Sequence, residues 1–188
     1  MSPLVESVTH ILSLATVFGG ALALFLLFAA FKEKPAENSD ADAVWKLLGF
    51  FKDRALIFSF LIALIAMIVS LFYSDIVGFV PCVLCWWQRI FLYPQVVILG
   101  VALSNKSKKW WQYTIPLSVI GGAISIYNSY LQFGGSSLVP CAANGSSDCA
   151  HVYFMEYGYV TIPTMALTGF VLLLLLGILA RRRESEEI

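Results

Sequence analysis

The chain has 188 residues, of which 59% are hydrophobic and only 13% are charged. Soluble domains carry about 45–50% apolar and about 25% charged residues, so this composition excludes an ordinary soluble domain and indicates a membrane protein. Basic and acidic residues balance at 12 each. A net charge of zero gives no indication of nucleic-acid binding.

Five apolar stretches are long enough to cross a bilayer, which takes about 20 helical residues. Because hydrocarbon offers backbone polar groups no partner, each stretch is predicted to be a transmembrane helix. The stretches are residues 8–31, 55–74, 86–103, 111–131 and 161–180. We expect the first to be a retained helix rather than a signal peptide, because residues 1–7 contain Glu6 but no Lys or Arg.

The linker between the first two predicted spans, residues 32–54, has two parts. Residues 33–42 are polar and typical of a loop. Residues 43–52 carry apolar side chains at helical spacing, which predicts a short interfacial helix that leads into the second span.

Basic residues follow the first, third and fifth predicted spans, and five crossings place these segments on one face of the membrane. Cytoplasmic segments carry an excess of Lys and Arg, so this face is predicted to be cytoplasmic, with the amino terminus outside and the carboxyl terminus inside. Arg89 is the exception. The other basic residues are Lys32, Lys34, Lys46, Lys52, Arg54, Lys106, Lys108, Lys109, Arg181, Arg182 and Arg183.

A Cys-X-X-Cys pair, Cys82 and Cys85, stands at the outer end of the third predicted span. This spacing lowers thiol pKa values and favours thiolate and disulfide chemistry. Arg89 follows Cys85 by four residues, which places it on the same helix face, about 5–6 Å away between Cβ atoms. The helix N-terminus adds a partial positive charge. We therefore predict a redox site in which Arg89 and the helix dipole favour a thiolate.

A second pair, Cys141 and Cys149, lies in the predicted outer loop 132–160. All four cysteines then face an oxidising compartment, where disulfides persist. One hypothesis is a relay, in which a mobile, exposed loop pair exchanges with the pair fixed at the helix entrance. The alternatives are a zinc site of four thiolates and structural disulfides, such as one that closes residues 142–148.

The segment 81–94 reads PCVLCWWQRIFLYP and resembles the disulfide bond formation protein B (DsbB) family, above all its shorter, BdbC-like members. The Cys-X-X-Cys pair, the arginine four residues later and the following span agree, as do an outer cysteine pair and Ile162-Pro163-Thr164 at the start of the last span. The resemblance covers about residues 55–183.

With the span count, the resemblance predicts an all-α membrane protein of five transmembrane helices. A four-helix-bundle redox core, residues 55–183, would follow an extra N-terminal transmembrane helix and cytoplasmic linker, residues 1–54. Residues 184–188 would form a cytoplasmic tail. The first span has no counterpart in the family pattern, and the loop between the second pair of cysteines is short for the family.

The resemblance implies a thiol:quinone oxidoreductase in the bacterial cytoplasmic (inner) membrane. It would reoxidise an extracytoplasmic thioredoxin-like partner of the DsbA type and pass electrons to a membrane quinone, ubiquinone or menaquinone. Cys82 and Cys85 would be the quinone-linked pair, with Cys85 facing the quinone and Arg89 stabilising a charged intermediate. Cys141 and Cys149 would meet the partner, with Cys141 forming the mixed disulfide. Neither a metal nor nucleic acid is expected to take part.

Two other functions stay open at this point. One is a quinone reductase of the vitamin K epoxide reductase type, and the other is a non-enzymatic membrane scaffold with structural disulfides. Gln88, Tyr93 and Tyr127 are candidates for quinone contacts, although each also fits packing inside the helices. His10, in the first predicted span, has no identifiable partner.

Overall fold

The computed structural model describes residues 3–31, 42–136 and 149–186. Within them a π-helical turn, Phe72–Ile76, extends the third helix, and the β-type pairing consists of an isolated bridge between Glu156 and Val160. The described chain is therefore all-helical, as predicted. Its helices are α1 (Pro3–Phe31), α2 (Asp42–Asp53), α3 (Ala55–Leu71), α4 (Val83–Ser104), α5 (Trp111–Gln132) and α6 (Ile162–Glu186).

Four helical stretches of the described chain are long and apolar enough to cross a membrane: Pro3–Phe28, Ala55–Ile76, Val83–Ser104 and Ile162–Glu184. They correspond to the first, second, third and fifth predicted spans. The fourth predicted span also forms a helix, α5, but its composition is too polar to meet the same standard. The count of five spans is therefore not confirmed by length and composition.

The polar side chains of α5 explain why it falls short. Most of those in its middle are buried against the other helices, whereas the exposed Gln112, Tyr113 and Tyr130 lie near its two ends. The buried ones are Thr114, Ser118, Ser125, Asn128 and Ser129. The outward positions are apolar, for example Val119 and Ile126, which are both exposed. A hydropathy average mixes the two faces and hides an apolar outer surface.

Helices α3, α4, α5 and α6 contact one another in a closed cycle: α3 packs against α4 and α6, and α5 packs against the same two helices. Helix α1 packs mainly against α6, and α2 contacts α1, α3 and α6. The apolar residues between them form one continuous core, with Leu99, Phe170 and Leu173 almost completely buried. The predicted helix at 43–52 is confirmed as α2, whose Leu48 joins this core.

The two ends of the helix array differ in chemistry. At one end lie Cys82 and Cys149, together with the first turns of α1. There the Tyr73 hydroxyl donates to Thr9 Oγ1 at 3.1 Å, and His10 Nδ1 lies 3.2 Å from Glu156 Oε2. His10 thus has a partner that the sequence did not reveal.

The opposite end of the array is basic. Arg183 Nη1 lies 2.8 Å from Asp53 Oδ1, which joins the end of α6 to the end of α2. The guanidinium carbon of Arg181 stands 5.5 Å from the centre of the Trp111 ring, at the start of α5. The cationic side chains therefore tie the helices together at the end away from the cysteines.

A glycine in α5 sets how closely α5 approaches α6. A Cβ atom built at Gly121 would overlap the ring of Phe170, which is buried, whereas one built at Gly122 would stand 3.7 Å from Phe170 Cβ, an ordinary contact. The sequence pattern Gly121-Gly122-Ala123 is typical of close helix approach. Of the two glycines, Gly121 is the one that this contact requires.

We expect Gly121→Ala to lower the free energy of unfolding by about 1–3 kcal/mol, the usual cost of overpacking a core. Gly122→Ala is the matched control. It should be neutral or slightly stabilising, since alanine favours a helix over glycine by about 0.8–1.0 kcal/mol. Thermal unfolding of both variants in detergent measures the difference. Equal melting temperatures would show that the Phe170 ring can move aside.

Candidate functional site

Helix α4 begins at the dithiol. Cys82 is its N-cap residue, with φ −72° and ψ 170°, and the Cys82 sulfur accepts the backbone N–H of Cys85 at 3.4 Å. Both cysteines are free thiols, and their sulfurs are 3.1 Å apart. The helix therefore starts three residues before the predicted span, which places Cys85 inside its first turn.

Cys82 is acidic mainly because of its neighbour Cys85. The thiol of Cys85 donates a hydrogen bond to the Cys82 sulfur, and this lowers the pKa of Cys82 from 9.0 to about 6. Burial acts in the opposite direction, while backbone N–H groups, including those of Leu84 and Cys85, lower the pKa further. A thiolate is thus favoured at Cys82, with Cys85 as the principal donor, and the predicted contribution of Arg89 is not among the causes of this shift.

The Arg89 guanidinium turns toward α3. Within the described part of the chain, its hydrogen bonds go to Ser70 rather than to a sulfur: Nε donates to Ser70 Oγ at 3.0 Å and Nη2 donates to the Ser70 carbonyl oxygen at 3.2 Å. The Tyr93 hydroxyl lies 3.2 Å from Ser70 Oγ, and the Trp86 ring centre lies 5.1 Å from the guanidinium carbon. Arg89 therefore bridges α4 to α3 one turn beyond the dithiol.

Two buried amides stand beside the thiols. Asn128 of α5 is fully buried, and its Nδ2 lies 3.7 Å from Cys85 Sγ. Gln88 is 5% exposed, and its Nε2 has no hydrogen-bond partner among the described residues. Sequence reasoning singled out Gln88 but missed Asn128. An amide in the middle of an apolar span is the signal that would have found it.

A cavity of about 300 Å³ opens beside the dithiol. Ser70, Gln88 and Arg89 are among its polar lining residues, and all three described cysteines reach it. Apolar side chains from α1, α3 and α6 form most of the other walls. Small-molecule pockets are typically about 300–1,000 Å³, mostly apolar, with a few placed polar groups. The size and the lining therefore suit a small, mainly apolar molecule with a polar part.

Cys149 lies against the dithiol. It is 1% exposed and packs in one buried cluster with Cys82 and Leu131. It is disulfide-bonded, and since Cys82 and Cys85 are free, neither of them is its partner. The expectation of an exposed second pair is wrong for Cys149, because packing against Leu131 at the end of α5 covers it. Cys141 lies outside the described residues.

The segment after Cys149 is held against the loop before Cys82. The ring of Tyr153 stacks on Phe79 with centres 4.2 Å apart, and the Tyr153 hydroxyl donates to the Val80 carbonyl oxygen at 2.9 Å. Gln132 Nε2 donates to the His151 carbonyl oxygen at 3.0 Å. His151 itself lines the cavity. These contacts bring the outer segment and the dithiol into one site.

A cluster able to hold a metal would need at least three suitable ligands close together. Within residues 3–31, 42–136 and 149–186, no three His, Cys, Asp or Glu side chains meet in this way. The four-thiolate alternative also requires Cys141, which these ranges do not include.

The chain is similar to known disulfide bond formation proteins. The family described as disulfide bond formation protein DsbB matches residues 52–180. The disulfide bond formation protein C of Bacillus subtilis (strain 168) is 40% identical over 131 residues, which are 68% of this chain and 93% of that protein. A probable disulfide formation protein of Metapseudomonas resinovorans is 38% identical over 132 residues, 69% of this chain and 91% of that protein. No solved structure matches significantly.

The fold and the site define a helical membrane protein with a dithiol chemistry. The chain belongs to the DsbB family of disulfide bond formation proteins, which confirms the resemblance seen at residues 81–94. Family membership implies an oxidoreductase activity in disulfide formation. The match starts at residue 52, so α1 and nearly all of α2 lie outside it.

The acidity of Cys82 can be tested by alkylation. Because its lowered pKa comes first from the Cys85 thiol, Cys85→Ala should move the pKa of Cys82 up, from about 6 toward 9.0. The thiolate is the nucleophile. At a pH between about 6 and 9.0, Cys82 of reduced native protein should therefore be alkylated faster than Cys82 of Cys85→Ala. Mass spectrometry of the Cys82 peptide after timed iodoacetamide labelling gives the pH profile.

Cys85→Ser is the matched control for this profile. The serine hydroxyl keeps a donor beside the Cys82 sulfur, so the midpoint should stay below that of Cys85→Ala. Identical profiles for the native protein and Cys85→Ala would show that the Cys85 donor does not set the acidity of Cys82.

Proposed function

We propose that the protein is a thiol:quinone oxidoreductase of the bacterial cytoplasmic membrane, which oxidises an extracytoplasmic thioredoxin-like protein of the DsbA type. The observation that carries this proposal is a free dithiol at a helix N-terminus that opens into a mainly apolar cavity with a polar end. Membership of the disulfide-formation family supports the thiol half of the reaction. The cavity supports an amphipathic electron acceptor, the quinone.

In this proposal α5 also crosses the bilayer, since its outer face is apolar and its polar residues are buried against α4 and α6. The protein then has five spans, of which α3 to α6 form a four-helix redox core. The basic end of the array faces the cytoplasm, in keeping with the excess of Lys and Arg on cytoplasmic segments. The amino terminus and the cysteines then lie outside.

The residues around the cavity fit a quinone ring. Gln88 Nε2 is a buried donor without a partner among the described residues, and such a group costs about 1–3 kcal/mol until an acceptor satisfies it. A ring carbonyl oxygen is an acceptor of this kind. Arg89 adds a positive charge on the same wall as Cys85. A bound quinone supplies an acceptor for two electrons and two protons and leaves as the quinol.

The positions of the sulfurs suggest the order of exchange. A thiolate of the reduced loop pair, Cys141 and Cys149, attacks Cys82 in the Cys82–Cys85 disulfide, because Cys82 is buried in one cluster with Cys149, whereas Cys85 is only partly buried at the edge of that cluster. The electron pair of the broken bond leaves on Cys85, which lines the cavity. The second loop thiolate then displaces Cys82, and a sulfur of low pKa is a fast leaving group.

In net terms, these two exchange steps form one disulfide and break another. The loop pair becomes a disulfide, Cys82 and Cys85 become a dithiol, and the dithiol gives two electrons and two protons to the acceptor when it closes again.

Variants of the cysteines test the order of the relay. Cys85→Ala should abolish quinone reduction by any thiol donor. Cys149→Ala should still reduce quinone with a small dithiol, because the Cys82–Cys85 pair stays whole, but should lose turnover with the thioredoxin-like partner and trap it on Cys141. Quinone absorbance and a non-reducing gel measure the two results. Quinone turnover by Cys85→Ala, or a partner trapped on Cys82, would contradict the proposed order.

Variants of Arg89 separate its charge from its bridge to α3. Arg89→Ala should slow quinone reduction by about tenfold or more, since a hydrogen bond to a charged group contributes about 1.5–3 kcal/mol. Ser70→Ala removes the hydroxyl that Arg89 binds but keeps the guanidinium. It should lose less activity than Arg89→Ala. Equal losses in the two variants, with equally lowered melting temperatures, would assign Arg89 to packing alone.

A further inference from the structure

Helix α1 lies outside the residues that match the family, yet it forms one wall of the cavity beside the dithiol. Its lining residues follow the spacing i, i+3, i+4 and i+7, which places them on a single helix face. They are Leu12, Ala15, Thr16 and Gly19. Further along the helix, Ala23 and Leu26 are buried in the main core. Helix α1 is therefore packed against the core beyond the cavity and borders open space at the level of the dithiol.

Contacts on both sides of the lining residues fix α1 in this position. Before them, Thr9 accepts the hydrogen bond from Tyr73 and His10 pairs with Glu156. At their other end, Gly19 approaches α6 so closely that a Cβ atom there would lie 3.0 Å from Thr168 Cγ2. These contacts hold α1 against the cavity, while Ala15 within the wall stays exposed.

The α1 wall is apolar in character. The hydroxyl of Thr16 donates to the Leu12 carbonyl oxygen at 2.8 Å, so its hydrogen is used within the helix. Leu12, Ala15 and Gly19 carry no polar side-chain atoms. Across the cavity, α3 contributes further apolar residues, among them Ile65 and Val69. The polar groups of the cavity lie instead near the dithiol, where Gln88 is buried with its Nε2 unpartnered among the described residues.

We infer that α1 holds the apolar tail of the quinone, an inference that rests on the proposed function. The ring lies against Cys85, Gln88 and Arg89, and the tail passes between α1 and α3. Residues 1–51 precede the family match, so this wall is an addition to the matched part of the chain. It gives the site a preference for quinones that carry a tail over the same ring without one.

The inference can be tested by larger side chains on α1 that narrow the cavity. Ala15→Trp places an indole where the tail would lie, and Ala15→Leu is a milder form of the same change. Leu14→Trp is the matched control, since Leu14 neighbours Ala15 and is exposed like it, but does not line the cavity. The acceptors are 2,3-dimethoxy-5-methyl-1,4-benzoquinone without a tail and the same ring with a decyl tail. A small dithiol is the electron donor, and all variants are compared in the same detergent.

With native protein, KM should be lower for the tailed quinone. Ala15→Trp should raise this KM by about tenfold, the equivalent of roughly two buried methylene groups, and should change kcat/KM for the tail-less ring much less. Ala15→Leu should act in the same direction with a smaller effect, and Leu14→Trp should match native protein with both acceptors.

Binding without turnover gives the second measurement. In the absence of dithiol, the decyl quinone should raise the melting temperature of native protein and of Leu14→Trp more than the tail-less ring does. Ala15→Trp should lose this difference. The melting temperatures of the variants alone report whether each one folds.

Two results would overturn the inference while leaving the proposed function in place. One is an unchanged KM and an unchanged melting shift for the decyl quinone in both Ala15 variants. The other is an equal loss with both acceptors, which would mean that α1 borders the ring rather than the tail. Failure of native protein to reduce either quinone is distinct from these, because it would overturn the proposed function itself.

Discussion

The cap that Cys82 forms on helix α4 is the interaction on which the rest of the site depends. The first N–H groups of a helix have no partner within it, and the Cys82 sulfur accepts one of them from Cys85 at 3.4 Å. The same sulfur lies 3.1 Å from the Cys85 sulfur, and as a thiolate it accepts the hydrogen of the Cys85 thiol. The Cys-X-X-Cys spacing is thus a capping spacing as well as a redox motif. One local geometry begins the helix, lowers the pKa of Cys82 and leaves Cys85 on the cavity wall.

Hydrogen bonds from α5 fix the rotation of α4 about its own axis, and with it the direction in which Cys85 faces. Asn128 reaches Cys85, and the Ser118 hydroxyl donates to Gln95 Oε1 on α4 at 3.2 Å. Both Gln95 and Ser118 are almost completely buried. Inside an apolar helix array an unpaired polar group costs free energy, so such pairs favour one rotation of each helix over others. The polar residues that weaken α5 as a candidate span are those that position the dithiol.

The outer rim of the cavity joins the two cysteine-bearing segments. Tyr73, Phe79 and Tyr153 form a continuous stack, with ring centres 5.7 Å and 4.2 Å apart. Phe79 precedes Cys82, and Tyr153 follows Cys149. The stack therefore joins the segment that carries Cys149 to the rim of the cavity. The pairing of His10 with Glu156 brings α1 into the same set of contacts.

The sequence by itself determined the features that depend on neighbours within a few turns of helix. Apolar length predicted the helices, with bounds that differ by a few residues where a cap or a charged end lies outside the apolar run: α4 starts at Val83 because Cys82 caps it, and α6 continues past residue 180 to Glu186. The Cys-X-X-Cys pair and the arginine after it also identified the family, since both belong to one short segment.

Only the tertiary structure decided which helix faces meet. Arg89 and Ser70 are 19 residues apart, Asn128 and Cys85 are 43 apart, and Tyr73 and Thr9 are 64 apart. The burial of Cys149 against Leu131 is of the same kind. Hydropathy and helical period indicate which residues share one face of a helix. They do not indicate which neighbouring helix packs against that face. That choice follows from side-chain shape and from hydrogen bonds between helices, which exist only once the helices have packed.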